Sequence, residues 1–152
     1  MDSSVAKTVS VLLVEDDKID QKAFLRALDK LKISNPVQIA NDGIEAWEII
    51  SGTNGNPALQ RPYMIVLDIN LPRMNGIELL QKIRSDERFR DSIVFVLTTS
   101  DDEQDKFEAF NLNVAGYMLK ADMGNSFFKA VELVDNYWRV VEFPLNPPGT
   151  PA

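Results

Sequence analysis

The sequence contains no cysteine and no histidine. Without cysteine there is no disulfide, no thiolate nucleophile and no zinc–thiolate site. Without histidine the chain cannot form a Ser-His-Asp triad, a histidine-ligated metal centre or a phosphohistidine. Any chemistry on this chain therefore has to come from other side chains.

Long apolar runs are also missing, and none approaches the length needed to cross a bilayer. The N-terminal residues Met1-Asp2-Ser3-Ser4 lack the basic and apolar regions of a secretory signal. We therefore expect a cytoplasmic protein without a membrane partner.

Basic residues are scarce, with 16 Lys and Arg against 23 Asp and Glu, and the net charge of -7 argues against nucleic acid as a partner. The acidic excess indicates either solvated surface or an acidic cation-binding pocket.

The 152 residues suit one domain with a proper core. Residues 1–8 are polar, and we predict that they are disordered. We expect the domain to cover residues 9–142, and residues 143–152 to form a proline-rich, non-helical tail. Residues 51–62, rich in glycine, proline and asparagine, are predicted to form a surface loop.

Apolar patterning predicts an α/β fold in which five buried strands alternate with five amphipathic helices. The strands are expected at 9–14, 37–40, 64–67, 93–97 and 114–119. This alternation is typical of a doubly wound parallel sheet with helices on both faces and right-handed crossovers. The second helix is expected to face the core through Ile44, Ala46, Trp47 and Ile50, and the fourth through Phe107 and Phe110.

The last helix, expected at about 125–142, carries more apolar surface than one sheet face needs. One stripe contains Phe127, Val131, Val134, Trp138 and Val141, and a second contains Ala130, Leu133, Tyr137 and Val140. The excess leaves two interpretations open. The helix either packs under the tail and a neighbouring helix, or forms a homodimer through Tyr137 and Trp138.

Polar side chains follow four of the predicted strands. Because the strands are parallel, these side chains share one edge of the sheet, and ligands of open α/β sheets bind at this edge. They are Glu15 and Asp16, Asp68 and Asn70, Thr98, and Lys120. Clustered carboxylates suit Mg²⁺, and a carboxylate such as Asp68 can carry a phosphoryl group. The Lys120 ammonium can pair with phosphate, and the Thr98 hydroxyl can respond to its arrival. Taken singly, a lysine after a strand is usually solvated, and Thr98, Asp16 or Asp17 could simply cap a helix. The functional interpretation rests on the combination of all four strand ends.

Four motifs resemble those of the receiver domain of bacterial response regulators, in order and in position. They are Val14-Glu15-Asp16-Asp17, Leu67-Asp68-Ile69-Asn70-Leu71-Pro72 with Asn75-Gly76, Thr98-Thr99-Ser100, and Gly116-Tyr117-Met118-Leu119-Lys120. The resemblance covers about residues 9–142. It implies a flavodoxin-like sheet with strand order 2-1-3-4-5.

The resemblance also implies a role for each residue at this edge and a sensor histidine kinase as partner. Asp68 would accept the phosphoryl group, Asp16 and Glu15 would bind Mg²⁺ together with Asp68 and the Asn70 carbonyl, Lys120 would be the phosphate counter-ion, and Thr98 and Tyr117 would be the switch residues. Such a domain is a signalling phosphoacceptor with at most slow self-phosphorylation from small donors and slow autodephosphorylation, not an enzyme with turnover.

One position departs from the family pattern, because Ala121 stands where a proline, often with a cis bond, usually follows the lysine. A cis bond without proline costs about 3 kcal/mol, so we expect either a trans bond with a reshaped loop or a strained cis bond. The assigned domain leaves no room for an output domain, which favours a stand-alone regulator. The long 51–62 loop, Ala121 and the Asn136-Tyr137-Trp138 segment resemble single-domain regulators that serve phytochrome-type histidine kinases.

Three other functions are weighed against this one. A flavodoxin would need a phosphate loop rich in hydroxyls and glycine after the first strand, where this chain has three acids. A haloacid-dehalogenase-type phosphatase would need an acid two residues after the nucleophile, where this chain has Asn70. A structural adapter that no longer accepts phosphate is disfavoured by the complete set of site residues.

Overall fold

The computed structural model describes residues 8–120 and 127–144, apart from the side chains of residues 127, 128, 130 and 138. The strands are β1 (Ser10–Val14), β2 (Val37–Ala40), β3 (Tyr63–Leu67), β4 (Ile93–Thr98) and β5 (Gly116–Leu119). The helices are α1 (Lys18–Lys30), α2 (Gly43–Ser51), α3 (Gly76–Ser85), α4 (Glu103–Asn111) and α5 (Phe127–Val140). All four strand pairings are parallel and the sheet order is β2-β1-β3-β4-β5, which confirms the predicted fold.

Strand β3 occupies the centre of the sheet, and each of its five residues is buried. Its uninterrupted apolar sequence follows from this position, since a central parallel strand is covered by helices on both faces. Leu67 pairs with Val14 of β1 and with Val96 of β4. This register brings the residues that follow β1 and β3 to the same level, beside the end of β4, and we call this side of the sheet the carboxyl edge.

Two apolar cores lie on opposite faces of the sheet. On one face, Phe24 and Leu28 of α1 and Val131 and Val134 of α5 pack in one cluster with strand residues such as Val66. On the other face, side chains of α2, α3 and α4 pack in a second cluster, which includes Ile50, Leu79 and Ala109. The helices thus cover both faces, and α1, α2 and α4 each begin within five residues of the strand that precedes them.

Gly76, the first residue of α3, fixes how closely this helix approaches the end of β3. A Cβ atom at this position would lie 2.4 Å from the carbonyl oxygen of Asp68 and 2.7 Å from the Cα of Ile69. The backbone N–H of Gly76 also donates to the carbonyl of Ile69 over 2.9 Å. Only a residue without a side chain permits this approach, so the turn after Asp68 depends on glycine.

Three predicted core contacts are wrong. Ile44 is 36% exposed, and the large apolar side chains that α2 buries are those of Ile49 and Ile50. Phe107 and Phe110 are 62% and 56% exposed, and α4 buries only Ala109. The small Ala109 faces the sheet, and the two larger rings are left on the outer side of the helix.

Several predictions concern residues outside the described part of the chain. They include the Lys120–Ala121 peptide bond, the Trp138 side chain, and most of the N-terminal segment and the tail. The start of the last helix at residue 125 belongs with them, since α5 is described from Phe127 onwards. Among the described residues, no helix is both long and apolar enough to span a bilayer.

Candidate functional site

Asp68 lies at the end of β3, at the centre of the carboxyl edge, and is only 5% exposed. Its Oδ1 accepts a 2.5 Å hydrogen bond from the Thr98 hydroxyl and a 3.1 Å bond from the backbone N–H of Asn70. Its Oδ2 accepts a 3.1 Å bond from Lys120 Nζ. Donors from the ends of β3, β4 and β5 therefore fix the orientation of this one carboxylate.

Lys120 is shared among three carboxylates. Its Nζ lies 2.6 Å from Glu15 Oε1, 2.7 Å from Asp20 Oδ2 and 3.1 Å from Asp68 Oδ2. Burial alone would lower the pKa of Lys120, but the hydrogen bonds to Asp20 and Glu15 raise the pKa above its ordinary value. The ammonium therefore stays charged and ties α1 and β1 to the end of β5.

Glu15 is buried, with 3% of its surface exposed. Burial raises the pKa of its carboxyl from 4.5 to about 7, because desolvation and the nearby Asp68 charge outweigh the bonds from Lys120 and from the N–H of Asp17. The site thus holds more negative charge than one ammonium neutralises. An additional cation would relieve this imbalance.

The carboxylates are placed to supply that cation with ligands. One carboxylate oxygen from each of Glu15, Asp16 and Asp68 lies within 4.8 Å of the others. Asp16 is exposed, whereas Glu15 and Asp68 are buried, so the cluster opens towards solvent on the Asp16 side. A set made of oxygen ligands with one open side fits a hard divalent cation that keeps part of its water shell.

Ser100 connects this site to α4 and β5. Its backbone N–H donates to Thr98 Oγ1 over 3.2 Å, and its hydroxyl donates to Asp105 Oδ2 over 2.6 Å. Its carbonyl accepts a 2.8 Å bond from the Tyr117 hydroxyl. Each of the three polar groups of Ser100 thus forms a hydrogen bond to a different element: β4, α4 or β5.

The structure brings together the residues that the sequence singled out at four strand ends: Glu15, Asp16, Asp68, Thr98 and Lys120. Asn70 is exposed beside them, with its amide nitrogen 3.4 Å from Thr99 Oγ1. Tyr117 lies one contact further away, behind Ser100.

Sequence reasoning missed Asp20 and the linking role of Ser100. Asp20 could have been found from its place in the first turn of α1, which directs its side chain back to the same edge. No pattern in the sequence would have identified the three bonds of Ser100.

The doubly wound fold, with a buried aspartate, a lysine and a hydroxyl together at its carboxyl edge, matches the arrangement that the four sequence motifs predict. The family model described as the response regulator receiver domain matches residues 11–132. The chain therefore belongs to the response regulator receiver family, which confirms the resemblance inferred from the four motifs.

Two known regulators illustrate this membership. The response regulator Rcp1 of Synechocystis is 32% identical over 128 residues, which cover 84% of this chain and 87% of Rcp1. The phosphorylated cyanobacterial phytochrome response regulator RcpA has 29% sequence identity to this chain. Its crystal structure matches with a TM-score of 0.77 over 91% of this chain and 99% of RcpA. The crystal structure of Mn²⁺-bound Rcp1 matches with a TM-score of 0.78 and 30% sequence identity, over 90% of this chain and 99% of the Rcp1 chain.

Proposed function

We propose that this domain accepts a phosphoryl group on Asp68 from the phosphohistidine of a sensor histidine kinase and signals through the resulting change at its surface. The observation that supports this most strongly is the convergence of Thr98 Oγ1, Lys120 Nζ and the Asn70 N–H on the buried Asp68 carboxylate. Such donors hold the nucleophile in one orientation and can later bind the phosphoryl oxygens.

The transfer step requires little of the protein beyond positioning and charge. An Asp68 oxygen forms a bond to phosphorus while the P–N bond of the phosphohistidine breaks, and the imidazole leaves with that electron pair. Lys120 remains within reach of the transferred group, where its ammonium offsets the added charge. The Thr98 hydroxyl, already bonded to Asp68, can turn to a phosphoryl oxygen.

Glu15, Asp16, Asp68 and the Asn70 carbonyl are the groups we propose for binding Mg²⁺. When bound, the cation neutralises negative charge on the phosphoryl oxygens. The described cluster of carboxylates supports this assignment, and Rcp1, at 30% identity, has a structure with bound Mn²⁺.

We further propose that the domain holds its phosphoryl group as a signal, with only slow self-phosphorylation and slow hydrolysis. Asn70 lies two residues beyond Asp68 and cannot donate a proton as a general acid. A phytochrome-type kinase is the partner we favour, because RcpA is described as a phytochrome response regulator. A cytoplasmic location and the domain limits 9–142 remain predictions.

The surface that changes is proposed to include α4 and α5, and a second copy of the chain is its simplest partner. Phe107, Phe110, Leu133 and Val140 are exposed by 62%, 56%, 49% and 83%. Tyr137, in contrast, is half-buried and packs edge-on against Phe95, with ring centroids 4.8 Å apart. Leu133 and Val140 are therefore better probes of self-association than Tyr137.

Labelling with acetyl phosphate tests the phosphoacceptor proposal. We expect uptake of an acid-labile phosphoryl group in the presence of Mg²⁺, little uptake without it, and none in Asp68→Asn. An acid-stable label, or equal labelling of Asp68→Asn, would contradict the proposal.

Sedimentation tests the dimer separately. We expect Leu133→Glu and Val140→Glu to shift the chain towards monomer, while Glu132→Gln, on the same helix, leaves the association unchanged. A wild type that stays monomeric at high concentration, with and without phosphorylation, would remove the dimer.

A further inference from the structure

A groove of about 610 Å³ lies between α3, α4 and the loop that follows β3. Its apolar lining includes buried Ile69 and Ile77 and half-buried Leu71. Four of its lining residues are acidic, namely Asp16, Glu78, Asp105 and Glu108, and none of the described lining residues is basic. We call it the acidic groove. Its size is that of sites that take a small ligand or several side chains of a peptide.

The negative charge of this groove is not neutralised by the protein. Glu78 accepts from the N–H of Asn75, Glu108 from the Gln104 amide and Asp105 from the Ser100 hydroxyl, all of which are uncharged donors. Within residues 8–120 and 127–144, none of these three carboxylates forms an ion pair. A guest with a positive charge would therefore gain Coulomb energy that no internal contact supplies.

The groove is also connected to the phosphoacceptor. Asp68 Oδ1 accepts from Thr98, Thr98 Oγ1 accepts from the N–H of Ser100, and the Ser100 hydroxyl donates to Asp105 in the groove wall. Three hydrogen bonds thus separate Asp68 from a carboxylate of the groove. If the Thr98 hydroxyl turns towards a phosphoryl group, Ser100 is drawn with it and its bond to Asp105 weakens.

We propose that the acidic groove binds a short segment of a partner protein in which Lys or Arg alternates with apolar residues, and that phosphorylation of Asp68 strengthens this binding by releasing the Asp105 carboxylate. The apolar lining favours such a segment over a free metal ion, which would make no contact with Ile69, Leu71 or Ile77. The dependence on phosphorylation rests on the proposed function, whereas the binding itself does not.

The binding is tested on the full chain with the peptide acetyl-Lys-Leu-Arg-Leu-Lys-amide, followed by amide chemical shifts. We expect shifts around Ile77, Glu78 and Glu108, and an affinity at least about threefold weaker in the double variant Glu78→Gln/Glu108→Gln, since each exposed ion pair contributes modestly. The acidic peptide acetyl-Glu-Leu-Glu-Leu-Glu-amide should not bind.

A charge-matched control separates a site from general attraction to an acidic protein. Glu87→Gln/Glu132→Gln removes the same two charges from exposed positions outside the groove, and it should bind the basic peptide like the wild type. Equal weakening in both double variants, or shifts that map away from the groove, would overturn the proposal.

The coupling is tested by repeating the titration with acetyl phosphate and Mg²⁺. We expect the phosphorylated wild type to bind the basic peptide several-fold more tightly, and Ser100→Ala to accept the label without this gain. An equal gain in Ser100→Ala, or no gain in the labelled wild type, would overturn the coupling. A wild type that takes up no label would instead contradict the proposed function and leave the groove's affinity as an independent result.

Discussion

At the scale of single residues, the site is a group of carboxylates that one lysine cannot fully neutralise. Glu15, Asp20 and Asp68 all bond to Lys120, and Asp16 stands beside them. Burying carboxylates is costly unless each is paired. The arrangement is therefore suited to accept a cation, which neutralises carboxylates that are already in place and, with Lys120, can offset the negative charge of an incoming phosphoryl group.

The pKa of Glu15 gives a prediction about pH. Its folded-state pKa of about 7 lies above the ordinary 4.5, so the folded state binds this proton more tightly than the unfolded state. The stabilisation that the folded state gains by holding the proton on Glu15 is complete below pH 4.5 and is lost as the pH rises towards 7. In metal-free buffer, the free energy of unfolding of wild type relative to Glu15→Gln should fall by about 1–3 kcal/mol over this range. A difference that does not change with pH, measured by urea denaturation, would contradict the raised pKa.

At the scale of secondary structure elements, two contacts hold the elements that carry the site. The close approach of Gly76 to the Asp68 carbonyl places α3 against the end of β3. Arg84, near the end of α3, donates to the carbonyls of Leu112, Arg90, Ser92 and Asn113. It thereby joins α3 to the segments that enter β4 and β5.

Replacing Gly76 by alanine should disturb the site as well as the fold. The new Cβ would lie 2.4 Å from the Asp68 carbonyl oxygen, so the turn has to move. We expect the free energy of unfolding, measured by urea denaturation, to fall by roughly 1–3 kcal/mol, as at other overpacked positions. We also expect slower labelling of Asp68. Gly55→Ala serves as the control for labelling: its φ of +82° disfavours alanine and lowers stability by itself, but no atom lies within 4 Å of the added Cβ, so we expect Asp68 to be labelled at the wild-type rate. A Gly76→Ala variant with wild-type stability and labelling would contradict the close approach.

Replacing Arg84 by methionine should destabilise the domain by about 2–3 kcal/mol, because several carbonyls lose a charged donor at once. Arg88→Met is the matched control, as Arg88 is exposed and bonds mainly to Asp86. We expect the urea midpoint of the control to stay close to that of the wild type. Equal effects of the two substitutions would show that the carbonyl contacts of Arg84 contribute little.

The elements themselves could be predicted well, and the reasons are physical. Strands buried on both faces leave continuous apolar runs, and the residue that ends each run marks the carboxyl edge, so Asp68, Thr98 and Lys120 could be predicted as neighbours. Faces of helices were harder, because apolar residues such as Phe107 and Phe110 need not point inwards when a small residue, Ala109, makes the contact with the sheet. Side-chain bonds such as those of Asp20 and Ser100 depend on distances that no sequence period encodes.

At the scale of the whole molecule, the fold brings two distant parts of the chain, the residues that follow β1 and those that follow β3, into one proposed cation site. Cation binding should therefore stabilise the entire domain, by about 2.7 kcal/mol when the cation is present at a hundred times its dissociation constant. We expect Mg²⁺ to raise the melting temperature of the wild type and to have much less effect on Asp16→Asn. Asp91→Asn, which removes an exposed partner of Arg61, should respond like the wild type. An equal response of Asp16→Asn and wild type would place the cation elsewhere.

The central claim is that Asp68 carries the phosphoryl group, and the most direct measurement is to locate that group on the chain. The protein is treated with acetyl phosphate and Mg²⁺, the acyl phosphate is reduced with borohydride, and the modified residue is identified by mass spectrometry of peptides. We predict reduction at Asp68 alone, and none in protein that has not been treated with acetyl phosphate. Modification at another carboxylate with Asp68 intact would contradict the account.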